Sequence, residues 1–150
     1  MMIPGYYAIR AAHTHHTQLA GAVAQGAGSH HYLGRTWLSK VDQHEYPFSV
    51  TQALVKKYGF RDVEDLMANA QSKFSLVASG LLEKESCRLL LVNGMKDGLM
   101  PVEDSMLLME YGRAKEARFY SEYLHMGYGP PPSANSSVYP WLESIMGVAA

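Results

Sequence analysis

Cysteine is almost missing from this chain: its 150 residues include one, Cys87. That excludes an internal disulfide framework and the paired spacing of a zinc ribbon. Charge imbalance is missing too. Thirteen lysines and arginines stand against 14 aspartates and glutamates, a formal net charge of −1. This balance leaves no electrostatic footprint for nucleic acid or an anionic membrane, and neither partner is expected. No apolar run approaches the roughly 20 residues of a spanning helix. The N-terminus lacks a basic stretch followed by an apolar core, so no secretory leader is read and the cytoplasm is the expected compartment. What is present is material for a core. Hydrophobic residues make up 47% of the chain, which suits one domain with room for a small insertion and argues against wholesale disorder. Cys87 lies beside a strand-like run and reads as a small core hydrophobe.

Periodicity gives the order of elements. Gly5 to about His13 reads as a short helix. Leu19 to Ala24 is small and apolar, which suits a buried strand, and Gln25-Gly26-Ala27-Gly28-Ser29 then breaks the pattern. From His30 to about Glu85 the chain turns helical and irregular. Thr51 reads as an N-cap of a helix running to Tyr58, with Gly59 just past its end. Asp62 opens another helix through Met67 and Ala70, with Asp65 at capping-box spacing. Phe74, Leu76 and Val77 begin a third apolar stretch. Some 55 residues of helix between two strands exceed a simple crossover, which needs only about a dozen. An inserted cap is the better reading.

Arg88 to Asn93 reads as a second buried strand. Pro101 opens a helix with Glu103 and Asp104 in its first turn, where acidic residues complement the helix dipole. That helix is expected to stop at Gly112. A third strand lies near Ala117 to Tyr120. After the stiff loop Gly129-Pro130-Pro131-Pro132, the stripe Val138, Trp141, Leu142, Ile145 and Met146 marks a helix that must lie on a sheet. Helix, strand, cap, strand, helix, strand, helix is a parallel α/β pattern. The expected division is a partial core at 1–28 and 86–150 with a helical cap at 29–85.

Two residues of this pattern carry chemistry. Gly94-Met95-Lys96-Asp97-Gly98 is a turn that places a carboxylate just past the second strand. Leu124-His125-Met126-Gly127 follows the third. Loops after strand C-termini face the site in such sheets. Acid then histidine on consecutive strands is the tail of the hydrolase order nucleophile, acid, histidine. The nucleophile's G-x-S-x-G turn occurs nowhere in the sequence. Other histidines attract a metal reading. His13 and His16 share a helix face, but no carboxylate follows them, and solvated or helix-capping roles are expected; no metal or other cofactor is implied. Gln25-Gly26-Ala27-Gly28 lacks the Lys-Ser/Thr ending of a phosphate loop, so its glycines are read as close-packing positions. His30, His31 and Tyr32 either border a substrate pocket or are ordinary residues of the cap entry.

Several stretches together resemble one family. They include Gly5-Tyr6-Tyr7-Ala8-Ile9-Arg10-Ala11-Ala12-His13, Val23-Ala24-Gln25-Gly26-Ala27-Gly28, Gln71-Ser72-Lys73-Phe74-Ser75-Leu76, Leu90-Leu91-Val92-Asn93-Gly94, Asp97-Gly98-Leu99-Met100-Pro101, His125-Met126-Gly127-Tyr128 and Ala134-Asn135-Ser136-Ser137-Val138-Tyr139-Pro140-Trp141. From Gly5 to Met146 the chain resembles the C-terminal half of the α/β-hydrolases typified by fungal polyketide-shortening enzymes of conidial pigment and melanin pathways. The resemblance implies Asp97 as the orienting acid and His125 as the general base. It implies hydrolytic cleavage of a carbon–carbon bond in a β-diketone-like polyketide side chain, with a small polyketide-like molecule as the partner. The family's serine aligns near Met2. On that reading the chain is a truncated hydrolase, inactive as it stands. A non-catalytic remnant or interaction fragment, and a serine esterase of unrelated substrate, remain as alternatives, and self-association stays open. The loop Gly129 to Ser133 is longer than the family's equivalent.

Overall fold

The computed structural model describes residues 4–43, 46–111 and 115–147. Its centre is a three-stranded parallel sheet in the order β1 (Gly21–Gln25), β2 (Arg88–Gly94), β3 (Lys115–Tyr120). Ala22 pairs with Leu89, and Leu91 with Ala117. β2 is buried on both faces, as a central parallel strand must be. Its alternation divides the core in two. Leu89 and Leu91 join Ile9 and Ala12 of α1 (Pro4–Thr14) and Leu108 of α5 (Val102–Met109). Leu90 and Val92 point the other way, onto Val138 and Trp141 of α6 (Asn135–Met146). Cys87 is a buried free thiol in the first cluster, as expected.

Between β1 and β2 the described chain contains helices and turns and adds no strand to the sheet. The helices are α2 (Arg35–Leu38), α3 (Val50–Tyr58) and α4 (Val63–Phe74). Asp62 caps α4 by accepting from the Asp65 backbone, and Asp65 accepts in turn from Arg61 N–H. Gly59 ends α3 at φ 69°, a left-handed position that suits a residue without a Cβ.

Several boundaries differ from the sequence reading. The first strand begins at Gly21 rather than Leu19, because Leu19 N–H closes a turn onto His15 O and leaves its side chain exposed. Ser49, not Thr51, caps α3. Thr51 is buried inside the first turn and donates to Asp42, which binds the helix start from below. Of the third apolar stretch, Phe74 is the last residue of α4, and Leu76 and Val77 lie in the turns that follow. The third strand begins at Lys115, two residues early. Met146 is exposed, so it drops out of the apolar stripe of α6. The expected stop at Gly112 lies outside the described residues; α5 ends at Met109.

Candidate active site

Asp97 sits in the turn after β2, and its own backbone fixes its carboxylate. Oδ1 accepts from Leu99 N–H at 2.8 Å and Met100 N–H at 2.9 Å. This local turn is what a short acidic side chain favours. The second oxygen is thereby aimed away from the turn. Trp37 of α2 donates its indole N–H to Leu99 O at 2.9 Å and so ties the helices between β1 and β2 to the same loop.

His125 arrives from β3. The chain after β3 crosses the end of β2 at Gly94, where any Cβ would collide with the carbonyls of Tyr123 and Leu124. A glycine is thus required for the two loops to meet. His125 then begins a tight turn closed by Gly127 N–H onto Leu124 O and Tyr128 N–H onto His125 O. Met126 takes φ 58° there, an uncommon position for a residue with a Cβ. Gln25, at the end of β1, donates to Met126 O at 3.3 Å. Gly26, itself at φ 58°, brings its backbone against the imidazole; an added Cβ would lie 2.5 Å from Cε1 and 2.8 Å from Nδ1.

The two loops put His125 Nδ1 3.0 Å from Asp97 Oδ2. The Asp97 side chain is fully buried and that of His125 is 13% exposed. A carboxylate can only accept here, so Nδ1 carries a hydrogen, and in the neutral ring Nε2 then holds the lone pair. That is the tautomer an acid–base histidine needs: Nε2 takes a proton while the carboxylate steadies the imidazolium. Tyr46 presents its ring edge-on to His125 with centroids 6.4 Å apart, and Phe48 stacks on Tyr46 at 5.0 Å. A cavity of about 390 Å³ opens beside the imidazole, with Gln25 and Asn135 as polar walls.

The three residues at the cap entry are dispersed. His30 Nδ1 pairs with Ser75 Oγ at 2.7 Å. His31 lines a separate cavity with Trp37 and Gln71. Tyr32 is buried against Gly28 and lines a third, with residues of α1 and α3. Their backbones share one anchor that sequence reasoning missed. Asp104, fully buried in the first turn of α5, accepts from the N–H groups of Ser29, His30, His31 and Tyr32 at 2.7–3.0 Å. In sequence it looked like a dipole residue; in the structure it ties the cap entry to the helix that follows the Asp97 loop.

One further histidine expectation changes. His13 is buried rather than solvated, and its Nδ1 donates to Lys84 O at 2.9 Å. Burial holds its pKa below the usual imidazole value. His16 Nδ1 donates back to His13 O, in the last turn of α1, at 3.2 Å, the helix-capping role read from the sequence. Among the described residues, no group of three His, Cys, Asp or Glu side chains is arranged to hold a metal ion. No helix among them is long and apolar enough to cross a membrane. The expected serine position, Met2, lies outside the described residues.

No family model matches the sequence, and no curated protein matches it. Solved structures do. AbyA5 superposes with a TM-score of 0.75 at 17% identity, over 97% of this chain and 39% of that one. A 2,6-dihydroxy-pseudo-oxynicotine hydrolase gives 0.66 at 16% identity, over 96% and 36%. The monoacylglycerol lipase of Paleococcus ferrophilus gives 0.61 at 17%, over 97% and 65%. The chain thus spans about two-fifths of the length of the first two. The parallel sheet with its flanking helices is part of an α/β-hydrolase fold.

Proposed function

We propose that this chain carries the acid and the histidine of a hydrolase site and lacks its nucleophile. The observation behind this reading is the 3.0 Å contact between His125 Nδ1 and a fully buried Asp97 carboxylate at the ends of adjacent parallel strands. In the proposed reaction His125 Nε2 removes the proton of an attacking hydroxyl and later returns it to the leaving group, while Asp97 orients the ring. Residues 29–85 act as the cap, with Trp37 touching the acid loop and Tyr46 the histidine.

The parent reaction we assign is hydrolytic carbon–carbon cleavage of a β-diketone-like polyketide side chain, releasing an acetyl or acetoacetyl unit. The resemblance of several sequence stretches to the polyketide-shortening hydrolases supports it. So do the stacked Tyr46 and Phe48 rings beside His125, which offer a flat apolar surface to an aromatic substrate. With no G-x-S-x-G turn in the sequence, the 150-residue chain should not turn over. Loss of the nucleophile alone costs on the order of a millionfold in such sites.

The test is hydrolysis of p-nitrophenyl acetate and of an aryl β-diketone. It is run on the chain alone and on the chain co-expressed with a segment supplying a strand and a G-x-S-x-G turn. The expected results are no turnover alone and His125-dependent turnover with the segment. Turnover by the chain alone that disappears in His125→Ala would require a nucleophile within these residues and would overturn the reading. Turnover with the segment that survives His125→Ala would remove the base from it.

A further inference from the structure

Gln25 ends β1, and strand alternation puts its side chain on the same face as Val23, which packs on the α6 side of the sheet. Its backbone is fixed by the sheet: Gln25 pairs with Val92, and the next N–H, that of Gly26, donates to Val92 O at 2.9 Å. From this base the side-chain amide reaches two other elements. Nε2 donates to Met126 O, in the turn that carries His125, and to Asn135 Oδ1, at the start of α6, both at 3.3 Å. We propose that Gln25 is a positioning residue for His125: it ties the histidine's turn to the end of β1 and to α6, and so keeps the imidazole on Asp97. This role rests on the acid–histidine pair of the proposed function and adds a third residue to it.

The chemistry of the contact fixes its direction. A backbone carbonyl can only accept, so the nitrogen end of the Gln25 amide must face Met126 O; the reversed amide would set two oxygens against each other. With one hydrogen of Nε2 on Met126, the other goes to Asn135, whose near atom is an oxygen. Both donors of the amide are thus used, and the side chain has one orientation. The turn it reaches is one that needs holding. Met126 takes φ 58°, a left-handed conformation that is unfavourable for a residue with a Cβ and persists where its surroundings impose it. The hydrogen bonds of the turn itself run between Leu124, His125, Gly127 and Tyr128. They set its shape and leave its place on the sheet to contacts from outside. Gly26 and Gly94 let the imidazole and its loop come close, but a missing Cβ permits an approach without holding it. The Gln25 amide supplies an attraction. Met126 follows His125 directly, so a shift of its carbonyl is passed to the ring, whose Nδ1 lies 3.0 Å from Asp97. A leucine would fill the place of Gln25 and donate nothing. A glutamate would keep its shape and, ionised, turn an acceptor toward Met126 O.

The experiment compares Gln25→Leu, Gln25→Glu, Asn135→Ala and Asp97→Asn with the wild-type 150-residue chain, at a pH where the His125 ring is neutral. The readout is the ratio of the Nδ1–H to the Nε2–H tautomer of His125, from the imidazole ¹⁵N shifts, beside the urea midpoint of each variant. A residue that served stability alone would move the midpoint and leave the tautomer ratio as it was. Both Gln25 substitutions should lower the ratio by about five- to tenfold, as expected for the loss of one hydrogen bond. Asn135→Ala keeps the bond to Met126 and should lower it less. An unchanged ratio in both Gln25 variants overturns the proposal, whatever the midpoints do. A ratio changed by leucine and untouched by glutamate overturns it too, because shape rather than a donated hydrogen would then hold the turn. If Gln25→Leu does not fold, Gln25→Glu decides alone. Asp97→Asn separates this role from the reading it rests on. A ratio that responds to Asp97→Asn and not to Gln25 removes Gln25 from the site and leaves the acid–histidine pair standing. A ratio indifferent to Asp97→Asn removes the pair, and this role with it.

Discussion

Replacing Asp104 by asparagine should be among the most damaging single-atom changes available in this chain. The carboxylate is fully buried and receives four backbone N–H groups. Those of Ser29 and Tyr32 go to Oδ2, and those of His30 and His31 to Oδ1. An amide offers one acceptor oxygen and one NH₂, so two of the four donors would face another donor. Each buried donor left without an acceptor costs about 1–3 kcal/mol, so two give about 2–6 kcal/mol for Asp104→Asn. Alanine removes all four bonds, but water can reach the exposed His31, so about 3–5 kcal/mol is expected. Against a total stability of about 5–15 kcal/mol for a typical domain, either loss is large. Urea denaturation followed by circular dichroism measures it, with Glu103→Gln, exposed and one residue away, as a control expected within about 0.5 kcal/mol of wild type. Amide hydrogen exchange should accelerate at residues 29–32 in the asparagine variant. An Asp104→Asn protein within about 0.5 kcal/mol of wild type would refute the reasoning, because the four donors would then have other acceptors.

Gly26→Ala should cost about 1–2 kcal/mol for its left-handed backbone alone, and its methyl should displace the His125 ring; an unshifted His125 spectrum would show that the close approach is not real. The buried His13 sets an acid limit. Its folded pKa lies below the unfolded value of 6.5, so the unfolded chain binds more protons below that pH, and stability should fall as pH drops from 6.5 toward the folded pKa. His13→Gln keeps a donor for Lys84 O and should flatten that slope; a slope unchanged by the substitution would assign it to other groups. β1 has a strand partner on one side only among the described residues, and such edges recruit other chains. Self-association or marginal stability is therefore expected in size-exclusion chromatography with denaturation, and a monodisperse monomer with a high-midpoint cooperative transition would contradict it.

The parts of this fold that were legible in the sequence are those where one local pattern had one physical outcome. Leu89 to Val92 could only be a two-faced buried strand, and a Gly-to-Gly turn after it had to place Asp97 at the sheet's end. The stripe Val138, Trp141 and Ile145 had to lie on a sheet. What stayed hidden depended on partners distant in sequence. Asp104 looks like any acidic first-turn residue until four amides from 72 to 75 positions away converge on it. Thr51 and Ser49 are both plausible caps; Asp42 decides between them by engaging Thr51. His13 looked solvated because nothing nearby announces that Lys84 folds back over it. Tyr46 came next to His125 through a cap whose path the sequence does not encode as a period.

In the proposed function, Asp97 holds His125 as a base with Nε2 unprotonated. The most direct measurement is the ¹⁵N chemical shift of both imidazole nitrogens of His125, in the wild type and in Asp97→Asn, at a pH where the ring is neutral. A protonated Nδ1 and an unprotonated Nε2 are expected in the wild type, with loss or reversal of that tautomer in Asp97→Asn. A wild-type ring protonated at Nε2, or a tautomer indifferent to the Asp97 substitution, would contradict it.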